Sequence, residues 1–356
     1  MYSRHLKSLE KYHQRCLRKI LQIPWWHEGG MASQYVSDQL HIGVYVIVLL
    51  TGLPFNTLAL YAFLGKARRK VGPNVIFLIN LTISDLAFLL FLPFKVLEAA
   101  KGNLWTLPPF LCPLSGLFYF SAIYSSILFL TAVSVERYLG VAFPIQYQMY
   151  RQPHYAVGVS LALWVCSFSH GSIVYITEFQ RKDNKSGNHN VCYDQFDQSQ
   201  LEILLPFRLE LGVVLFCLPF LVTTFCYSSF VRILLSSPHI SREKKQRAVG
   251  LVLATLLVFL VCFAPYNISH FVGFAQWASP PWRGDVLLLS TFNTSLDPII
   301  FYFSSSAVQR TCKGCLRRLT SKLSLLNPSR LLSAFLRKRG EALRDRSMGQ
   351  VQCSKL

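Results

Sequence analysis

Seven apolar stretches recur along the chain, over about 40–64, 74–99, 110–141, 155–178, 203–235, 247–276 and 285–303. Each is close to the ~20 residues that cross a bilayer as a helix. No water reaches the hydrocarbon core, so every backbone amide there must be satisfied within the protein, and only helices and closed barrels qualify. Barrel strands are shorter and alternate in polarity; these stretches do neither. Only 15% of the residues are charged, against roughly 25% in an ordinary soluble domain. The fold class expected is an all-α membrane protein, a seven-transmembrane-helix bundle followed by a short amphipathic eighth helix.

Charge sets the orientation. The net charge is +19, and it gathers at the ends: residues 1–30 hold six Lys/Arg against two acids, and residues 304–356 hold twelve against two. Basic flanks of a membrane protein account for this, so no nucleic-acid partner is expected. The GKARRK run at 65–70, the SREKKQR run at 241–247 and the tail all fall on one side. The positive-inside rule assigns that side to the cytoplasm, which puts the residues before span one outside. Residues 1–30 are basic and would then also lie outside, yet they contain no apolar signal-peptide core. We expect them to be an upstream extension or an artefact to which no function is assigned, and Met31 could itself begin the chain. The chain then divides into 1–30, a seven-span domain over 31–303, an amphipathic segment over 304–320 and a basic tail over 321–356 that touches anionic lipid.

Ten cysteines are scattered without CxxC…CxxC metal spacing. Cys112 and Cys192 both fall on the oxidising side and form a disulfide candidate. Cys312 and Cys315 follow span seven, where palmitoylation and plain free thiols are competing readings. Asn184 heads a glycosylation sequon in an outer loop. Inside the spans lie Asn56, Asp85, Ser126, Asn293 and Asp297. Each is costly alone in lipid, so together they predict a wet interior cluster that could hold Na⁺ among oxygen ligands. No other cofactor or metal is expected. An enzyme is disfavoured, since HExxH, GxSxG and phosphate-cradling loops are all missing. A transporter would predict internal repeats and matched broken helices, and none is apparent.

Glu136-Arg137-Tyr138 closes span three at the cytoplasmic side, and Pro219 and Pro265 interrupt spans five and six, where lost backbone bonds predict kinks. With GLPFN (52–56), LTISDLAFLL (81–90), Trp164, CFAP (262–265) and DPIIFY (297–302), the chain resembles the rhodopsin-class G-protein-coupled receptors over residues 31 to about 320. LPFKVLEAA, SVERYLGVAFPIQY, LPFRLEL, CFAPYNISH and LDPIIFYFSSS resemble the free fatty acid receptors, best the short-chain branch. The resemblance implies a plasma-membrane receptor with an extracellular N-terminus. Its partners would be a heterotrimeric G protein of the inhibitory or Gq class, arrestin and membrane lipid. It also implies that Glu136, Arg137, Tyr138, Phe263, Pro265, Asp297, Pro298 and Phe301 couple ligand to G protein. Phe263 stands where most receptors have Trp, Asp297-Pro298 replaces Asn-Pro, and Lys245 sits where many relatives place an acid to lock Arg137. Appreciable basal activity is therefore expected.

One feature of the spans still wants a purpose: LLPFRLELGV carries Arg208 and Glu210 within an apolar run. A charge at the bilayer centre costs roughly 2.5–3.5 kcal/mol on insertion scales. Arg208 lies eleven residues before Pro219, about 16 Å toward the outside. Arg283 lies near the outer end of span seven, and His270, His170 and Tyr124 belong to the same upper half. Two guanidinium forks can share both oxygens of one carboxylate. The resemblance implies the same site, a short-chain carboxylate clamped by Arg208 and Arg283 with His170, His270 and Tyr124 around it. Phe120 stands where relatives have Tyr, which removes a hydroxyl. Bland readings stay open: His170, His270 and Tyr124 could be satisfied core residues, and Asp194 could gate the cavity or be a solvated loop acid. Glu210 does not share Arg208's helix face and could pair with a neighbouring helix; Lys95 and Glu98 suit each other. Another anion, such as a nucleotide or a hydroxy acid, is the competing ligand, although a triphosphate would favour more Lys/Arg there.

Overall fold

The computed structural model describes residues 30–68, 71–150, 152–183, 192–193 and 196–325. Asn184, Asp194, the extension 1–29 and the tail beyond 325 lie outside them. Among the described residues, seven helices are long and apolar enough to cross a membrane. They are α1 (Ser37–Ala67), α2 (Pro73–Ala100), α3 (Leu111–Ala142), α4 (Pro153–Phe179), α5 (Gln198–Ser236), α6 (Arg242–Gln276) and α7 (Arg283–Phe303). An eighth, α8 (Ser306–Leu325), follows α7 directly. No strand occurs among the described residues.

The helix ends follow local chemistry. Pro73 and Pro153 open α2 and α4, where a missing N–H costs nothing. Asp197 and Gln200 form a reciprocal capping box at the start of α5. α6 ends on Trp277 in the left-handed region, φ 50°, and the next N–H, of Ala278, returns to the Gly273 carbonyl.

Pro219 and Pro265 do interrupt the regular α-helical bonding, and by a specific route. Proline cannot donate to the carbonyl four residues back, and in both α5 and α6 the backbone answers with wide π-turns. Residues Leu211–Cys217 and Val258–Phe263 take i→i+5 bonds, and each wide segment runs up to within two residues of its proline, Pro219 or Pro265. α7 breaks instead at Phe292, between Arg283–Thr291 and Asn293–Ser304.

α3 is the central post. Tyr119, Ile123, Tyr124, Ile127, Phe129, Leu130 and Val133 are all buried along it, and α2, α4 and α5 pack around it. Gly171 lets α4 approach, since a Cβ there would lie 2.2 Å from Ser121 Oγ. Trp164 Nε1 donates to Asn80 Oδ1 at 2.9 Å, tying α4 to α2. The outer surface is apolar, with Leu50 and Leu90 each 71% exposed. That inversion suits lipid rather than water as the surrounding solvent.

The two ends of the bundle differ in chemistry. One carries the Cys112–Cys192 disulfide, which fastens the loop before α5 to the top of α3. At the other, Arg137 donates to Asn74 Oδ1 at 3.0 Å and the Tyr147 hydroxyl donates to Glu136. Lys245 donates to the Leu235 carbonyl at 2.8 Å, so it secures the α5–α6 turn. There too α6 lies tight on α7: a Cβ on Gly250 would stand 2.7 Å from the Phe303 ring.

Candidate functional site

At the disulfide end, α3, α5, α6 and α7 converge on two buried guanidinium groups. Arg208, from α5, is 3% exposed and Arg283, from the start of α7, is 7% exposed. Arg208 Nη1 donates to Ser279 Oγ at 3.4 Å, while its Nη2 has no hydrogen-bond partner among the described residues. No ion pair among those residues includes Arg208. Arg283 Nη2 donates to the Tyr266 hydroxyl at 3.1 Å, and its Cζ lies 5.5 Å from that ring's centre.

Aromatic side chains build the walls. Phe120 from α3 lies 5.2 Å from Tyr193 and 6.3 Å from Tyr266, centre to centre. Tyr193 directly follows the disulfide, sits in the left-handed region at φ 53°, and donates its N–H to Glu178 Oε1 at 2.9 Å. Its phenol lies within the electrostatic reach of both arginines. Burial pushes the Tyr193 phenol up from its ordinary value and the nearby arginines only partly offset this, so at neutral pH it stays a donor. Below them Tyr124 and His270 meet, hydroxyl to Nε2, at 3.2 Å, and His270 stands edge-on to Tyr266 at 4.5 Å.

The sequence therefore named five residues that the fold brings together: Arg208, Arg283, Tyr124, His270 and Phe120. His170 points elsewhere. Its Nδ1 lies 2.7 Å from the Cys166 carbonyl and its Nε2 3.3 Å from Glu210 Oε1, so it joins α4 to α5. Glu210 takes this cross-helix partner rather than Arg208, as its different face on α5 requires. Lys95 and Glu98 do pair, at 2.8 Å. Sequence reasoning missed Tyr193, Phe196, Tyr266 and Ser279. Only Tyr193 carried a usable signal, its place beside the disulfide cysteine.

A second polar cluster lies deeper. Asp85 Oδ1 accepts from Thr294 at 3.4 Å, and the Asp85 and Asp297 carboxyls face each other. Asp85 Oδ2, both Asp297 oxygens and Ser126 Oγ are buried without a hydrogen-bond partner among the described residues. Asn293 is buried beside Thr294. Asn56 belongs to the same region through its donation to the Thr294 carbonyl at 2.8 Å.

Seven spanning helices, proline-adjacent wide turns and a cluster of buried arginines and aromatic rings at the disulfide end define a membrane receptor bundle. The family model described as 7 transmembrane receptor (rhodopsin family) matches residues 55–301, and the chain belongs to that family. Free fatty acid receptor 3 of Mus musculus is 50% identical over 281 residues, 79% of this chain and 88% of the relative. Free fatty acid receptor 2 of Homo sapiens is 50% identical over 277 residues, covering 77% and 84%. Free fatty acid receptor 1 of Macaca fascicularis is 34% identical over 277 residues, covering 74% and 91%. At these identities the chain takes its place among the free fatty acid receptors, and it is a signalling receptor rather than an enzyme.

Proposed function

We propose that this chain is a plasma-membrane receptor for short-chain fatty acids, with its N-terminus outside, that signals through a heterotrimeric G protein. The carrying observation is Arg208: a buried guanidinium with an unsatisfied Nη2 and no acid paired to it among the described residues. A buried charge needs a counter-charge, and a ligand carboxylate supplies one. Arg208 and Arg283 would each give it a fork, with the Tyr193 and Tyr266 hydroxyls beside them. The relatives' names speak for fatty acids as the ligand class.

The enclosing rings speak for short tails. Very small ligands gain at most about 1.5 kcal/mol per heavy atom, so a five-heavy-atom acid is limited to micromolar affinity at best. Bridging Arg208 and Arg283 draws α5 toward α7. That bias passes through Phe263 and Pro265 and opens the far end near Arg137, where a G protein of the inhibitory or Gq class, and later arrestin, would dock.

Na⁺ is the ion we assign to the deeper cluster. Asp85, Asp297, Ser126 and Asn293 present hard oxygens there, four of them unsatisfied, and one bound cation would offset two facing carboxylates. Palmitate on Cys312 and Cys315, both free cysteines on an amphipathic helix, would anchor α8.

The test is G-protein activation in cells by acids from acetate to octanoate, with Arg208→Ala and Arg283→Ala compared at equal surface density. A response to two- to five-carbon acids that both variants abolish supports the clamp. A normal response in either variant rejects it.

A further inference from the structure

Two guanidinium groups side by side repel, and an electron-rich ring face that both can meet offsets part of that repulsion. Phe196 touches both: its ring centre lies 4.8 Å from Arg208 Cζ and 5.9 Å from Arg283 Cζ. A ring face attracts a cation out to about 6 Å, and more strongly where water is excluded. The ring itself is held firmly. It precedes Asp197, the cap of α5, where Asp197 Oδ1 accepts from Gln200 N at 3.0 Å and the Gln200 side chain accepts from Asp197 N at 3.1 Å. Gln200 Nε2 also donates to the Thr177 carbonyl at 3.0 Å, which fastens that cap to α4. On its other side Phe196 stands edge-on to Tyr193, 5.0 Å between centres.

We infer, on the carboxylate-clamp reading above, that Phe196 is a positioning residue whose ring holds the two guanidinia in register for one anion. The ring adds no charge, so it does not compete with the ligand as a loop carboxylate would. It keeps the two guanidinia pre-aimed from the side of the loop before α5. Pre-organisation of this kind raises affinity by sparing the ligand the cost of ordering the site.

A merely space-filling ring and a cation-holding ring answer differently to electron withdrawal. The experiment replaces Phe196 with mono-, di- and trifluorophenylalanine, which keep size and shape while draining the ring face. Propionate potency is read in the full-length receptor at matched surface density, beside Phe196→Tyr and Phe196→Leu. Expected is a stepwise loss with each fluorine, retention in Phe196→Tyr, and a roughly ten- to thirtyfold loss in Phe196→Leu. Potency that stays flat across the fluorine series, with Arg208→Ala inactive, overturns the proposal and leaves the clamp standing. Full response in Arg208→Ala overturns the clamp, and the role of Phe196 with it.

Discussion

Arg208 was legible because it breaks a rule: an apolar run tolerates a buried guanidinium only for a reason. Tyr193 offered only its place beside a disulfide cysteine, because one aromatic in a loop breaks no rule. Its hydroxyl stands beside the arginines at the proposed anion site, so Tyr193→Phe should lower propionate potency about three- to tenfold, the worth of one hydrogen bond to the anion. The sign of the pH effect follows from burial, which holds its pKa above the ordinary phenol value. Its contribution should thus persist unchanged from pH 7 to pH 9 and fade only above that. Concentration–response curves of the two receptors at these pH values check both statements; a gap that closes by pH 9 would contradict the second. His170 and Glu210, 23% and 41% exposed, make a different case. Half-exposed pairs contribute about 1 kcal/mol or less. His170→Gln, Glu210→Gln and the double variant should lose the same small amount of thermal stability, and strict additivity would show that the two do not interact.

At the scale of the helices, Pro219 and Pro265 announced interruptions in α5 and α6, but not their form. The wide turns before each proline re-pair the backbone that proline leaves unpaired, and so keep long helices continuous in lipid. The break in α7 at Phe292, six residues before Pro298, had no signal of its own. The far ends of α6 and α7 meet at Gly250 and Phe303 with no room for a Cβ. Gly250→Val should push these ends apart and raise basal G-protein signalling severalfold, because it destabilises the closed packing more than an open one. Unchanged ligand-free signalling at equal surface density would mean the seam relaxes locally. At the same end Lys245 donates to the Leu235 carbonyl and secures the α5–α6 turn.

For the whole molecule, the proposed anion site and the Asp85–Asp297 cluster lie at different depths of one bundle, and their coupling is reciprocal if both bias the same rearrangement. Added Na⁺ should then weaken propionate binding a fewfold, and Asp85→Asn should remove that sensitivity while leaving Arg208 and Arg283 in place. A Na⁺ effect that survives in Asp85→Asn, with choline showing none, would place the ion elsewhere.

The sequence by itself determined the seven spans, their order and the presence of two arginines that lipid would not accept. Those properties depend only on the local match between side chain and solvent, summed along one helix. The tertiary structure alone decided which residues share the cavity. Whether His170 faces Arg208 or Glu210 depends on how α4 is rotated against α5, and depth along a helix carries no information about that angle. The placing of Tyr193 and Phe196 over the arginines depends on a disulfide, a left-handed residue and a capped helix acting together. Of these only the disulfide was read from the chain, and the joint geometry exists only once the helices have packed.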